Sequence, residues 1–385
     1  MISNVTFGQF QKVYTVNNNN NVYALAANNQ FIFAGTGGSG MFRSSDNGDT
    51  WNLICNGIPP WYYFSLLSTN DTLFAGSFGV VNCSFDNGTT WTDLNLGLTL
   101  NDFVYSLARK GQYLYAGIIF KGVYSHQIGG TSWNVCNAGL HHAPTINDLL
   151  VIGPDIYAAT DSGVYKSTND AASWNRISNG IPNSLAVNKL FFDVTNNLLF
   201  AGTSENIYQT SDLGATWTLS GNGIPVNSNI RCFGSLNDTL FTGSYTDLFA
   251  SADIGNDWFP FDNGLPPGTG AISMTSNANT LFAGNGGGIY RYPAGSPVNI
   301  VNYICQDKFK IYTCPGSLSE YLVIEIPEDL KESMVYIYNL QGQEMMKLTL
   351  DKTKTMIDIR SFSKGIYLVR LSTHDQDQTK KIIKT

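Results

Sequence analysis

The chain has 385 residues, 13 % of them charged and 13 % aromatic, with 38 glycines and a formal net charge of −7. An average soluble protein carries about 25 % charged residues. The acidic balance excludes a polybasic nucleic-acid binder, and the apolar runs stop well short of the ~18 residues of a spanning helix. Gly, Asn, Ser and Thr stand where charges would be. That composition suits many short strands joined by tight turns, not a helical bundle or coiled coil. The charge is also uneven: residues 1–296 hold 10 Lys or Arg against 18 Asp or Glu, and residues 297–385 hold 12 against 11. Glu205 is the sole glutamate before Glu320. The break near Ala294-Gly295-Ser296-Pro297 divides the chain into a first domain over 1–296, a linker over 297–307 and a second domain over 308–385.

In chain order, the first predicted element is a strand over residues 5–14 with no partner nearby. A phrase then recurs seven times: FIFAGT at 31–36, TLFAGS at 72–77, YLYAGI at 113–118, DIYAAT at 155–160, LLFAGT at 198–203, TLFTGS at 239–244 and TLFAGN at 280–285. Each copy has a strand before it and a strand after it, such as GVYKS. A turn and a tryptophan follow in the first six. Those tryptophans are Trp51, Trp91, Trp133, Trp174, Trp217 and Trp258, spaced by 40, 42, 41, 43 and 41 residues. A period of about 40–45 with four strands (A to D) per unit is the signature of a propeller. Seven units predict seven blades. The seventh lacks its Trp strand, so the 5–14 strand is expected to complete it and close the ring, which hides open edges. The Asn17–Asn21 run then turns into blade one.

Between strands C and D the chain reads Ser44-Ser45-Asp46-Asn47-Gly48-Asp49-Thr50-Trp51. Similar segments carry Asp86, Gly88 and Trp91, then Asp212, Gly214 and Trp217, then Asp253, Gly255 and Trp258. These four copies resemble the Asp-box (bacterial neuraminidase repeat) motif S-x-D-x-G-x-T-W. The carboxylate can accept the N–H groups of its own turn, glycine supplies a positive φ, and tryptophan covers an apolar face. Two copies are altered: Asn169 and Ala171 replace Asp and Gly before Trp174, and the segment before Trp133 has no Asp. The resemblance implies a structural role for these residues, on the face away from any ligand.

Sialidases share the Asp box but resemble six-bladed propellers with three arginines gripping a carboxylate. Here Arg43 and Arg291 take the same strand C position in blades one and seven, Arg176 follows Trp174, and only Arg231 opens a strand A near the mouth. Asp-box xyloglucanases are more similar in their repeat, but they set two propellers across a cleft. A binding face is expected where the D–A and B–C loops meet. Trp61, Tyr62 and Tyr63 beside Pro59-Pro60 suit stacking on a sugar or gripping a peptide. Phe120, Asp161, Glu205, Tyr245 and Asp247 come from B–C loops, and the three carboxylates there could serve as acid and base. His141-His142 follow blade three, but no metal site or cofactor is expected, since adjacent loop histidines rarely share one ion. Within strand A, Asp148 and Lys189 are the charged residues at a repeated position of neighbouring blades, which predicts an interblade ion pair.

The cysteines are dispersed. Cys55 and Cys136 read as small buried residues, and Cys305 and Cys314 could pair in an oxidising compartment. From Lys308 the chain alternates through seven strands, the pattern of an Ig-like sandwich. The segments from Met334 to Glu344, Ile357-Asp358-Ile359, Ser363 to Arg370 and Lys380 to Lys384 resemble the type A C-terminal sorting domain of the type IX secretion system. That family usually opens on Tyr-Pro-Asn-Pro, where this chain has Tyr312-Thr313-Cys314-Pro315. The resemblance implies a Bacteroidota-type bacterium, the type IX machinery as partner, and a secreted or outer-membrane-surface location. Such cargo carries a signal peptide, and residues 1–6 do not read as one. The expected fold is all-β, a seven-bladed β-propeller followed by a small Ig-like β-sandwich. The expected function is binding of a glycan or protein ligand, with no nucleic acid and no membrane span involved. A glycoside hydrolase using the rim carboxylates is the alternative. An assembly-factor role is a third reading, because photosystem assembly propellers carry similar repeats.

Overall fold

A computed structural model of the chain describes residues 9–16, 21–95, 97–142, 144–262, 264–293, 310–313, 321–326, 331–339, 343–363, 365–372 and 377–384. Two compact units emerge, one of residues Phe10–Tyr292 and one that holds the C-terminal residues from Pro293. The first unit is built of seven four-stranded antiparallel sheets. Six of them take their strands in chain order. The inner strands are Val22–Ala27, Ser65–Thr69, Val104–Lys110, Ile146–Ile152, Val187–Asp193, Cys232–Leu236 and Ser273–Asn277. Each packs beside the next, and the seventh packs beside the first, so the sheets form a closed ring of blades. In the seventh sheet the outer strand is Gln11–Tyr14, which pairs with Gly288–Pro293 through Gln11 opposite Arg291 and Lys12 opposite Tyr290. Residues 5–8 of the expected strand, and residues 17–20 of the asparagine run, lie outside the described residues.

The recurring FAGT phrase is buried because it forms the second strand of each blade, covered on both faces by neighbouring blades. The hydrophobic clusters fall between successive blades. Each tryptophan that opens a strand D packs with its own blade and the one before it, as Trp217 does with Ile177 and Leu199. Its indole N–H donates back across that seam: Trp91 to the Ile54 carbonyl at 2.7 Å, Trp174 to Cys136 at 2.8 Å, Trp217 to Ile177 at 2.7 Å and Trp258 to Ser220 at 2.7 Å. Trp51 instead donates to Gly48 of its own turn at 3.1 Å. In blade seven the tryptophan place is held by Phe10, buried against Phe261 and Tyr292. The link glycine shows the equivalence. A Cβ on Gly223 would come within 2.0 Å of the Trp258 carbonyl oxygen, and a Cβ on Gly264 would come within 2.0 Å of that of Phe10.

Five of the six C–D turns share one geometry. The Asp46 carboxylate accepts the Ser44 hydroxyl at 2.7 Å, the Thr50 N–H at 2.8 Å and the Thr50 hydroxyl at 2.5 Å, while Ser44 Oγ accepts the Gly48 N–H at 2.8 Å. Asp86 and Asp212 repeat the pattern. In the Asp253 turn, Asp257 takes the threonine place and gives only its N–H, at 3.0 Å. Asn169 keeps the arrangement with an amide: its Oδ1 accepts the Ser167 hydroxyl and the Ser173 N–H at 2.9 Å each, and its Nδ2 donates to Ser173 Oγ at 2.9 Å. In blade three, His126 occupies the place of Ser44, paired with the second strand of its blade at Leu114 as Ser44 is at Ile32. Its Nδ1 lies 3.1 Å from the Ser132 carbonyl.

The second unit has a three-stranded sheet (Lys310–Thr313, Tyr321–Glu325, Lys354–Asp358) and a four-stranded sheet (Met334–Asn339, Glu344–Thr349, Gly365–Ser372, Asp377–Lys384). Leu322, Ile324, Val335, Ile337, Ile357 and Val369 share one core, so the two sheets form a sandwich. Cys305, Cys314 and the 297–307 linker lie outside the described residues. Cys55 and Cys136 are half-buried and not fully enclosed, and each sulfur has a polar neighbour: Cys55 Sγ takes the Met41 N–H at 3.0 Å and Cys136 Sγ donates to Ser125 Oγ at 3.1 Å.

Candidate functional site

The B–C loop of each blade meets the D–A loop that enters the next. Gly37 bridges Tyr62, Phe78 bridges Phe103, and the Gly79 N–H donates to the Asp102 carbonyl at 2.7 Å. Asp102 is buried and its carboxylate takes the Thr99 N–H at 2.7 Å and an ion pair from Lys121. Those contacts bring aromatic side chains of blades one to three together. Phe64 stacks on Tyr105 with centroids 5.0 Å apart and planes 12° apart. Phe78 meets Phe64 at 5.1 Å and Phe103 at 4.8 Å edge-on, and Tyr62 meets Phe78 at 5.5 Å. Tyr23 adjoins Phe64 at 5.5 Å and Tyr62 at 6.5 Å. Gly37 makes that approach feasible, since a Cβ there would sit 2.9 Å from the Tyr23 ring. Tyr62 and Tyr105 remain 42 % and 39 % exposed, so the cluster has an apolar floor and an open aromatic surface.

The inner strands explain why these rings line one mouth. Counted in the repeat from Val22, the first position, which in blades two, six and seven lies two residues ahead of the paired strand, is buried in all seven blades: Val22, Tyr63, Val104, Ile146, Val187, Ile230 and Ala271. The second position is Tyr23, Phe64, Tyr105, Asn147, Asn188, Arg231 and Ile272. In blades one, three, four and five it is skipped in the pairing with strand B, a bulge that turns it out of the ladder. Burial pushes the Tyr105 phenol up, and Tyr23 and Tyr245 add to that while Arg231 opposes it. The Arg231 guanidinium lies 4.9 Å over the Tyr245 ring.

The expected residues divide. Trp61, Tyr62 and Tyr245 are exposed on this face, and so is Phe120, which is 71 % exposed. Tyr63 is a correction: it is 1 % exposed, sits in the apolar first position of strand A, and donates its hydroxyl to the Pro59 carbonyl at 2.8 Å. Burial accordingly drives its phenol far up, with Cys55 adding to the shift. Aligning it with Val22 and Val104 carries that signal in the sequence. Tyr23, Phe103 and Tyr105 join the mouth although sequence reading passed over them as ordinary strand residues. The three rim carboxylates do not bond to one another. Asp161 accepts the Thr145 N–H at 3.3 Å and Asp247 accepts the Thr246 hydroxyl at 2.5 Å, while burial and, after it, the Glu205 charge push the half-buried Tyr208 phenol up. His141 and His142 are exposed. Among the described residues no three His, Cys, Asp or Glu side chains are grouped to hold a metal ion.

Deeper in the channel, Asp148 accepts the Ser106 hydroxyl at 3.0 Å, the Leu190 N–H at 3.0 Å and the Lys189 ammonium at 2.9 Å. The expected interblade pair is present, and Asp148 bridges three blades. The opposite face carries a groove of about 590 Å3 between blades seven and one, lined by Asn28, Asn47 and Asn277 among others. Three of its amides are bonded: Asn277 donates to Asn47 Oδ1 at 2.8 Å, Asn47 to Thr280 at 2.9 Å and Asn28 to Asn87 Oδ1 at 2.8 Å.

Residues 310–385 match the secretion system C-terminal sorting domain. The tail is a sorting domain. It commits the chain to the type IX secretion machinery and to a secreted or outer-membrane-surface location, and no helix of the structure is long and apolar enough to cross a membrane. Among the curated proteins no sequence matches the chain. Among solved structures, the extracellular domain of BT3049 from B. thetaiotaomicron, described as that of a hybrid two component system, is similar with a TM-score of 0.64 and 16 % identity, over 99 % of this chain and 58 % of that one. The GH74 xyloglucanase from Xanthomonas campestris is similar with a TM-score of 0.60 and 12 % identity, over 96 % and 66 %. YCF48 from Cyanidioschyzon merolae is similar with a TM-score of 0.58 and 11 % identity, over 74 % and 98 %. The chain spans about half the length of the B. thetaiotaomicron domains it matches. At these identities the likeness concerns the fold, an all-β propeller.

Proposed function

We propose that the propeller, taken as residues 1–296, is a non-catalytic module that binds a glycan at its aromatic mouth after the sorting tail has delivered it. The observation that carries this reading is the arc of Tyr62 and Tyr105, half-exposed over the Phe64, Phe78 and Phe103 floor. Flat, rigid, amphipathic rings stack on sugar faces at little entropic cost. In this reading the C–D turns are Asp boxes with a structural task only, and the source is a Bacteroidota-type bacterium. Asp161 and Asp247 engage their carboxylates on neighbouring loop groups, which favours binding over glycoside hydrolysis. A glycan array followed by calorimetry on the full chain tests the proposal. Each of Tyr62→Ala and Tyr105→Ala is expected to weaken binding about five- to tenfold, at ~1 kcal/mol per aromatic contact. Unchanged affinity in both variants overturns it. So does sugar release that is lost in Asp161→Asn, Glu205→Gln or Asp247→Asn, since it would make the protein a hydrolase.

A further inference from the structure

The second position of the inner strand is polar in three blades, and two of those side chains are already committed. The Asn147 amide donates to the Val187 carbonyl at 2.8 Å, and the Asn188 amide donates to the Ile230 carbonyl at 3.1 Å and to Asn229 Oδ1 at 2.9 Å. Arg231 differs. Its backbone N–H is used by Gly243 at 2.8 Å, but its guanidinium has no acceptor among the described residues, and its Nε is shielded from solvent without a partner. Every other arginine of the ring has one. Arg43 donates to the Asn87 carbonyl at 2.7 Å, Arg109 to Gly111 at 3.0 Å, Arg176 to Ser162 at 2.9 Å, and Arg291 to Asn47 at 3.0 Å and to Asp49. The neighbouring cation Lys189 is neutralised by Asp148. The nearby Asp247 turns its carboxylate to Thr246 and Ser244 of its own loop.

A guanidinium held over an aromatic face leaves its terminal Nη–H groups in its own plane for a ligand, and those groups can meet the oxygens of a carboxylate or sulfate. We propose that Arg231, laid on Tyr245, receives an oxyanion on the same glycan that stacks on Tyr62 and Tyr105, so that the ligand is an acidic polysaccharide. The inference rests on the glycan-binding reading and narrows it to a chemical class. The acidic ring would otherwise repel such a ligand, which makes the uncompensated cation the determinant of the preference.

Four probes test it on the full chain at fixed salt: polygalacturonate and its methyl ester for a carboxylate, dextran sulfate and dextran for a sulfate. Wild type is expected to bind at least one acidic polymer about tenfold or more tighter than its neutral partner, the range of a charge-assisted hydrogen bond. In Arg231→Gln that ratio should fall below about twofold with the neutral partner's affinity unchanged, and Arg231→Lys should restore part of it. Equal binding of acidic and neutral partners by wild type, or a ratio that survives Arg231→Gln in a protein of unchanged circular dichroism, overturns the inference and leaves glycan binding standing. Binding of none of the four, with an empty glycan array, removes both.

Discussion

Phe120 holds a bulky, β-carbon-bearing residue at φ 55° in the B–C loop of blade three, with its ring in solvent. Left-handed backbone costs such a residue about 1–2 kcal/mol, and burial returns nothing here. Other B–C loops meet the same bend with glycine, as Gly38 and Gly40 do in blade one. The strain is therefore expected to serve presentation of the ring on the binding face. Phe120→Gly should raise the melting temperature by about 2 °C and weaken glycan binding, read by differential scanning calorimetry and titration. A drop in melting temperature, or unaltered binding, would count against that role. Tyr63 makes the opposite point about single residues. Beside Trp61 and Tyr62 it looks like part of a binding surface, yet its place in the repeat is that of Val22 and Ile146. Only the register separates a core tyrosine from an exposed one.

Among elements, the C–D turn ties its parts by a carboxylate that must be ionised to accept all its bonds. The hydroxyl and N–H of Thr50 hold the Asp46 carboxyl down to about 2, and those of Thr90 do the same for Asp86. Thr210 and Thr216 hold Asp212 lower still. An unfolded aspartate titrates near 3.9. A depressed folded value means the stabilisation is complete above about pH 5 and is lost as pH falls from there toward about 2. These groups are exposed, so each contribution is small. Asp86→Asn, which copies the Asn169 turn, should lower the melting temperature slightly at pH 6, with the gap to wild type closing by pH 2. A gap that is constant with pH would show that the charge is not what holds the turn. The turn was readable from sequence because its chemistry is local, within eight residues. The mouth was readable only at its loop residues such as Tyr62, because Tyr23 and Tyr105 reach it through a bulge that pairing with a neighbouring strand creates.

At the scale of the molecule, the ring is sealed by a strand from the other end of the unit. A chain lacking residues 1–14 loses Phe10 from the seam with Phe261 and Tyr292 and leaves Gly288–Pro293 without its outer partner. Removing a buried phenylalanine alone costs about 3–5 kcal/mol, and a bare strand edge invites pairing between chains. Size-exclusion chromatography should find this truncated protein associated or aggregated; a stable monomer with the wild-type melting temperature would refute the sealing role. The blade count was legible because period and phrase repeat along the chain. The substitution of Phe10 for tryptophan was not, since a lone phenylalanine in a segment without a repeat context carries no mark of its slot.

The same seal orders the assembly in time. Hairpins within a blade need only neighbours in the chain, but Phe10 and Tyr292 meet from opposite ends of the unit, and such distant contacts form late. Within the ring, the strand that comes earliest in the sequence is thus the last to find its partner.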